Sequence, residues 1–273
     1  MAPHRDESTI ELPGRGLIDL HNHLLPGIDD GCSDVDESLA CVRQMIQAGY
    51  VGAVCTPHGG PRLAPGNTPQ RLAELCEVLH SALEREGLRF PILPGCELSL
   101  TADLLPWIEK HGVQALGVAG DARARRGGAV LFDYWGSDWT PACDEFLDYL
   151  LDLELTPVLA HPERMNIHDG WLALLERLSE RGVLLQGNLR PLVGRDGLLA
   201  QYRAEQLLDL NRYEVMALDA HRQACLPPRL EGARRLRAGW GRKRSKQLLE
   251  TGPRRLVGLG RSLAPIEGAK NSS

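Results

Sequence analysis

Aromatic residues are scarce in this sequence, at 5% of 273 positions, and no apolar run approaches the ~20 residues that a bilayer-spanning helix needs. The seven cysteines, at 32, 41, 55, 76, 96, 143 and 225, include no C-x-x-C pair, so neither a disulfide framework nor a thiolate zinc site is indicated. Reduced cytosolic thiols fit best. There is no G-x-S-x-G nucleophile elbow and no G-x-x-x-x-G-K-S/T phosphate loop, which removes two common hydrolase designs. Repeats of fixed length and low-complexity tracts are also missing, and the five tryptophans have no spacing suited to base stacking.

What is present is an ordinary globular balance, 43% hydrophobic and 25% charged. The polar N-terminus is no targeting signal. We therefore expect a soluble cytoplasmic protein with one domain over residues 17–260, a polar tail over 1–16 and a frayed tail over 261–273. The net charge is −5, yet residues 229–261 hold 11 basic against 2 acidic residues, leaving the rest of the chain at −14. An acidic body argues against nucleic-acid binding. The basic segment reads as solvated helix faces, or as a surface for a phosphate-rich partner or an anionic membrane.

Short apolar runs at 17–20, 51–55, 91–96, 129–134, 157–160, 183–186 and 215–218 read as buried parallel strands. Amphipathic stretches at 34–48, 69–86, 141–153, 170–181 and 198–210 read as helices between them. Ser33 followed by Asp36 resembles a capping box, and Thr68 before Pro69 marks another helix start. This alternation means an α/β fold, either an open doubly wound sheet or a closed barrel.

The chemistry gathers at strand ends. The first strand runs into His21-Asn22-His23, two imidazoles on one side of an extended chain, followed by the turn Asp29-Asp30-Gly31. Later strands run into Thr56-Pro57-His58, Glu97, Asp133, His161-Pro162-Glu163-Arg164 and Asp219-Ala220-His221. Carboxyl ends of parallel strands share one face, so residues distant in sequence meet there. Five of the nine histidines occupy those ends. Random placement explains that poorly, and nitrogen and oxygen donors without thiolate suit a polynuclear site for manganese, iron, zinc or magnesium. His4, His80, His111 and His168 fall elsewhere and read as structural. Trp135 and Trp139 fit either a substrate mouth or loop packing.

These motifs, in this order, resemble the polymerase and histidinol phosphatase (PHP) metallophosphoesterases. The D-D-G turn and H-P-E-R are similar to the bacterial protein-tyrosine phosphatases of capsular and exopolysaccharide operons. The resemblance spans about residues 17–228. It implies a distorted seven-stranded (β/α) barrel with a trinuclear site, manganese being the commonest metal and iron or magnesium the alternatives. By the same resemblance His21, His23, Glu97 and Asp219 would hold the first ion, Asp133 and His161 the second, and Asp30, His58 and His221 the third. Arg164 would grip phosphate, and Asn188 would line the pocket.

Three departures stand out. Asp133 replaces the usual Glu. Leu226 stands where a second phosphate-binding Arg often precedes the Pro-Pro pair, with Arg222 as a possible substitute. Gly59-Gly60 replaces bulkier residues. The rival thiolate chemistry needs an arginine six residues after a cysteine, and none of the seven cysteines has one. The resemblance thus implies metal-dependent protein-tyrosine-phosphatase activity, with His161, Arg164 and Asp219 at its centre. The implied substrate is the phosphotyrosine-bearing tail of a membrane-associated tyrosine autokinase, with the basic segment helping to dock that tail or its membrane. The alternatives are a small-molecule phosphatase, such as one acting on histidinol phosphate, and a metal-binding regulatory module weakened in catalysis.

Overall fold

The computed structural model describes residues 11–124 and 127–259. The expected frayed tail over 261–273 lies outside them. Among the described residues nine strands appear in chain order: β1 (Leu17–Asp19), β2 (Tyr50–Cys55), β3 (His58–Gly59), β4 (Ile92–Pro94), β5 (Glu97–Ser99), β6 (Ala129–Asp133), β7 (Thr156–Ala160), β8 (Leu184–Asn188) and β9 (Tyr213–Ala217). Helices α1 (Val35–Gln47), α2 (Pro69–Arg85), α3 (Leu104–His111), α4 (Pro141–Asp152), α5 (Trp171–Glu180), α6 (Leu198–Asp209), α7 (Leu226–Lys246) and α8 (Gly252–Leu259) complete the alternation. Helix α3 was not foreseen from the sequence, and neither were the bounds of α7 and α8.

All strand pairs are parallel, but they form two sheets, β1-β2-β4 and β3-β5-β6-β7-β8-β9. The single closed seven-stranded ring implied by the resemblance is not found among the described residues. Proline accounts for the interruption. The expected strand over 91–96 is shortened to β4 and stops at Pro94, with β5 starting beyond it at Glu97, and β2 gives way to β3 across Pro57. Neither proline has an amide hydrogen to continue a ladder. At the other junction the sheets are tied together: Asn22 bridges Ala220, Asp219 N donates to His21 O at 2.7 Å, and His23 N donates to Ala220 O at 2.8 Å. These bonds fix the ends of β1 and β9 side by side.

The first helix starts one residue later than the capping-box reading placed it. Asp34, not Ser33, is the cap, its carboxylate accepting from Glu37 N at 2.9 Å. Asp accepts this bond as well as Ser does and adds charge favourable at a helix N-terminus. Glu37 reaches back to Ser33 N at 2.9 Å. Thr68 caps α2, as its position before Pro69 suggested.

Two apolar clusters result. The larger lies where helices α1 to α6 cover the strands. The smaller joins Ile18, Leu20, Val54, Leu131 and Val158 of both sheets with Leu256 and Val257 of α8. Helix α8 sits at the N-terminal ends of the strands: Arg254 donates to Pro13 O and Gly16 O just before β1, and Arg255 pairs with Glu214 near the start of β9. The opposite ends of the strands are left for the histidines and acids.

Candidate metal centre

Strand geometry brings the predicted residues together. Glu97, first residue of β5, is 1% exposed and forms the hub. Its Oε2 lies 3.2 Å from His21 Nε2, 3.5 Å from His23 Nε2 and 3.1 Å from His58 Nδ1, while Oε1 lies 2.7 Å from His161 Nε2. Asp219 Oδ1 is 3.6 Å from both His21 Nε2 and His23 Nε2. His221 and His58 face the exposed Asp30, whose Oδ1 is 3.4 and 3.5 Å from their Nε2 atoms.

Four sets of donor atoms converge: His23, Asp30, His58 and His221; His21, Glu97 and His161; His21, His23 and Asp219; and His58, Glu97 and Asp133. The sets carried over by resemblance are only partly reproduced. Asp133 gathers with His58 and Glu97, whereas His161 gathers with His21 and Glu97. The shorter side chain at 133 still reaches the hub.

The donors fit metal ions on a physical test. Buried polar atoms normally find hydrogen-bond partners. Here His21 Nε2, His23 Nε2, His58 Nδ1 and Asp133 Oδ1 are buried without an aligned hydrogen bond, and the three imidazole nitrogens crowd Glu97 Oε2 at 3.1–3.5 Å. Donors bound to one ion at roughly 2.0–2.2 Å stand about 3 Å or more from each other. That matches the spacing around Glu97 Oε2.

Outer contacts fix these donors, as ligand sites require. His21 Nδ1 shares a hydrogen with Gln186 Oε1 at 2.7 Å, and His23 Nδ1 with Asp29 Oδ2 at 2.7 Å. Asp29 also accepts from Gly31 N and His58 N, so the first acid of the D-D-G turn braces the site while the second faces it. Gln186 Nε2 donates to Asn188 Oδ1, and Asn188 Nδ2 donates to Asp219 Oδ2 at 2.7 Å. Asn188 is buried and therefore braces Asp219. Gln186 and Arg229 have no place among the residues that the sequence marks, whereas Asp29 is marked there as part of the D-D-G turn. The signal for Gln186 was there: Gln186 and Asn188 are polar, two residues apart and so on one face of a buried strand.

Two of the site residues have left-handed backbones, His161 at φ 32° and Asp219 at φ 51°. Such strain persists only where surroundings enforce it. At His161 the turn carries β7 into Pro162–Arg164, with Arg164 N donating to His161 O. At Asp219 the buried Arg229 donates Nε to the carbonyls of Leu218 and Asp219, both at 2.8 Å, while Leu218 N donates to Asp19 Oδ1. Glu163 of the H-P-E-R motif is buried, accepting from Asn188 N and Tyr213 OH, and fastens that turn to β8 and β9.

The charges are mutually adjusted. Burial opposes charge on His21, but the carboxylates of Glu97 and Asp219 push it up to about 9. Burial likewise opposes ionisation of Glu97 and Asp219, yet the surrounding histidines hold Glu97 well below the usual range and lower Asp219 too. Asp133 goes the other way, raised to about 6 by burial and by the Glu97 charge. His221 is lowered by burial and by the charge of His23.

Beside the cluster, Arg164 is partly exposed and donates Nη1 to Asp219 Oδ2 at 3.0 Å. Its guanidinium lies 5.1 Å from the ring centre of Trp135, which packs on His161 and donates Nε1 to Asp133 Oδ2. Trp139 instead packs on Tyr134 and donates to Asp144, away from the cluster. A cavity of about 410 Å³ opens next to Asp133, lined in part by Ser99, Thr101, Tyr134, Trp135 and Arg62. Arg222 is exposed and its side chain makes no hydrogen bond or ion pair among the described residues; its charge acts on Glu37.

Comparison with known proteins agrees with this geometry. Residues 17–258 match the family described as capsular polysaccharide synthesis, CpsB/CapC. The tyrosine-protein phosphatase YwqE of Bacillus subtilis is 29% identical over 206 residues, 75% of this chain and 77% of that protein. CpsB of Streptococcus pneumoniae, also named a tyrosine-protein phosphatase, is 26% identical over 248 residues, 88% of this chain and 98% of its own. A solved structure from work on YwqE and CpsB, described as metal-dependent tyrosine phosphatases, superposes with a TM-score of 0.74 at 26% identity, covering 93% of this chain and 100% of that one. The phosphotriesterase homology protein of Escherichia coli shares the fold, with a TM-score of 0.55 at 12% identity over 90% of this chain and 99% of its own.

Proposed function

Since the chain belongs to the capsular polysaccharide synthesis family CpsB/CapC, we propose that it is a metal-dependent protein-tyrosine phosphatase. The observation that carries this reading is the group of four buried donor atoms without an aligned hydrogen bond, set next to a partly exposed arginine. His21, His23, Asp30, His58, Glu97, Asp133, His161, Asp219 and His221 would hold three divalent ions, manganese by preference, with iron or magnesium as alternatives. Such ions neutralise phosphate oxygens and acidify water to a pKa of ~7, giving a nucleophile at neutral pH.

The chain supplies the rest. Arg164 presents its guanidinium fork to phosphate oxygens, steadied by Asp219 and by the Trp135 ring. Trp135, 41% exposed, offers an apolar wall for an aromatic leaving group. Phenol has a pKa of ~10, so the departing phenolate needs little acid assistance. Asn188 and Gln186 hold Asp219 and His21 so that their remaining donor atoms face the hub.

We also read the two sheets as one interrupted seven-stranded barrel. β2 with β3 and β4 with β5 then count as two bent strands, and the Asn22–Ala220 bridge joins the last strand to the first. Residues 17–260 would form this single domain. The substrate in this reading is the phosphotyrosine-bearing tail of a membrane-associated tyrosine autokinase, met in the cytoplasm, where all seven cysteines would stay the free thiols they are.

The test is direct. His161→Ala and Asp219→Ala should each abolish hydrolysis of p-nitrophenyl phosphate while circular dichroism stays native. Full activity in either rejects the assignment. A phosphotyrosine peptide assayed beside histidinol phosphate should be the better substrate, and the reverse order would favour the small-molecule reading.

A further inference from the structure

Helix α7 turns the basic composition of the sequence into a located surface. The side chains of Arg235, Arg237, Arg242, Lys243 and Lys246 are exposed, and none of these side chains has a hydrogen bond or ion pair among the described residues. The neighbouring acids are already engaged: Glu231 by Arg234, Glu214 by Arg255, and Asp209 by the Trp240 indole, while Glu250 lies beside Arg254. Uncompensated cations next to an acidic body form a local positive field.

Position decides what that field can meet. Arg244 donates to Tyr213 O, the first residue of β9, and Trp240 reaches Asp209 at the last turn of α6. The second half of α7 therefore lies at the N-terminal ends of the strands, with α8. The metal centre lies at the other ends, and a five-residue strand spans roughly 17 Å before loops are added. Acidic residues next to a phosphotyrosine bound at Arg164 would not reach it, since about five or more extended residues are needed to cover that distance. The same end also carries the half-buried Trp240 and, just beyond Asp209, Leu210, which is 46% exposed. Cations beside an indole and an exposed aliphatic side chain suit a surface with anionic headgroups over an apolar layer.

We propose that Arg242, Lys243 and Lys246, which follow the kink of α7 at the non-helical Gly241, dock the protein together with Trp240 and Leu210 on anionic phospholipid, so that the metal centre faces away from the bilayer. Lipid supplies both chemistries that this end presents, whereas a soluble acidic peptide would leave Leu210 bare.

Co-sedimentation of the full chain with vesicles tests this. Binding is expected to phosphatidylcholine vesicles containing about a third phosphatidylglycerol at about 0.1 M salt, and to be absent for pure phosphatidylcholine. Each basic residue near the surface contributes about fivefold, so the exposed triple variant R242E/K243E/K246E should bind at least tenfold more weakly. Its p-nitrophenyl phosphate turnover should be unchanged, which also reports an intact fold. Failure of the unmodified chain to bind anionic vesicles, or undiminished binding by the triple variant, overturns the proposal. So does binding of a soluble poly-glutamate peptide at this face without vesicle binding, which would make the partner a peptide.

Discussion

At the residue scale, the donors were legible and their supports were not. Histidines and acids at strand ends announce themselves because few other roles need so many of them there. Asn188 shows the limit: the sequence marks its position at a strand end, but the aim of its amide at Asp219 is set by the pairing of β8 with β9. Asn188→Ala should leave that carboxylate oxygen to Arg164 alone and weaken metal binding by about 10–100-fold with the fold retained, as read by calorimetric titration. Arg229 was hidden within a basic run, where burial is not visible; its four-residue spacing from Cys225 and its reach to Asp219 appear only once α7 is placed. Titration gives a second prediction. In protein stripped by a chelator, His21 has its pKa raised from 6.5 to about 9, so the stability it contributes is complete below about pH 6.5 and is lost as pH rises through about 9. The urea midpoint of stripped protein should fall between those values. A midpoint that rises instead would mean that the histidine and carboxylates are not paired as described.

At the element scale, the five helices foreseen between strands appear within a residue or two of their expected bounds, because amphipathic period and caps such as Thr68-Pro69 are local signals. Helix α3 is short, with only Leu104, Trp107 and Ile108 buried, too little pattern to stand out. The breaks at Pro57 and Pro94 were in plain sight, but whether a proline ends a strand or bends it depends on what its neighbours donate. Helix α7 offers a paired test. A Cβ on Gly232 would lie 2.0 Å from Leu189 O, whereas one on Gly239 meets nothing nearer than an Arg235 nitrogen at 4.0 Å. Gly232→Ala should therefore cost about 1–3 kcal/mol and, by shifting Arg229 one turn away, reduce turnover. Gly239→Ala, in an exposed helical position, should be neutral or stabilising by up to about 1 kcal/mol. Equal effects of the two in chemical denaturation would count against the close packing of α7 on the end of β8.

At the scale of the whole molecule, the metal centre draws on β1, the bends after β2 and β4, and β6, β7 and β9, so ions there would tie both sheets together. Removal of metal by EDTA should abolish activity and lower the melting temperature, and manganese should restore both, since a ligand bound only by the native state stabilises it. Unaltered melting after EDTA, with metal loss verified by elemental analysis, would mean that the ions do not brace the sheets. Fold class was readable from the alternation of strand and helix, whereas the splitting of the strands into two sheets was not, because it rests on pairings across the whole chain. Helix α8 has a consequence of its own. Its Leu256 and Val257 complete an apolar cluster that begins with Ile18, so the earliest strand to leave the ribosome waits for one of the latest helices. A chain stopped before Leu256 would leave Ile18, Leu20 and Val54 without that cover, so truncation there is expected to expose apolar surface at the floor of both sheets.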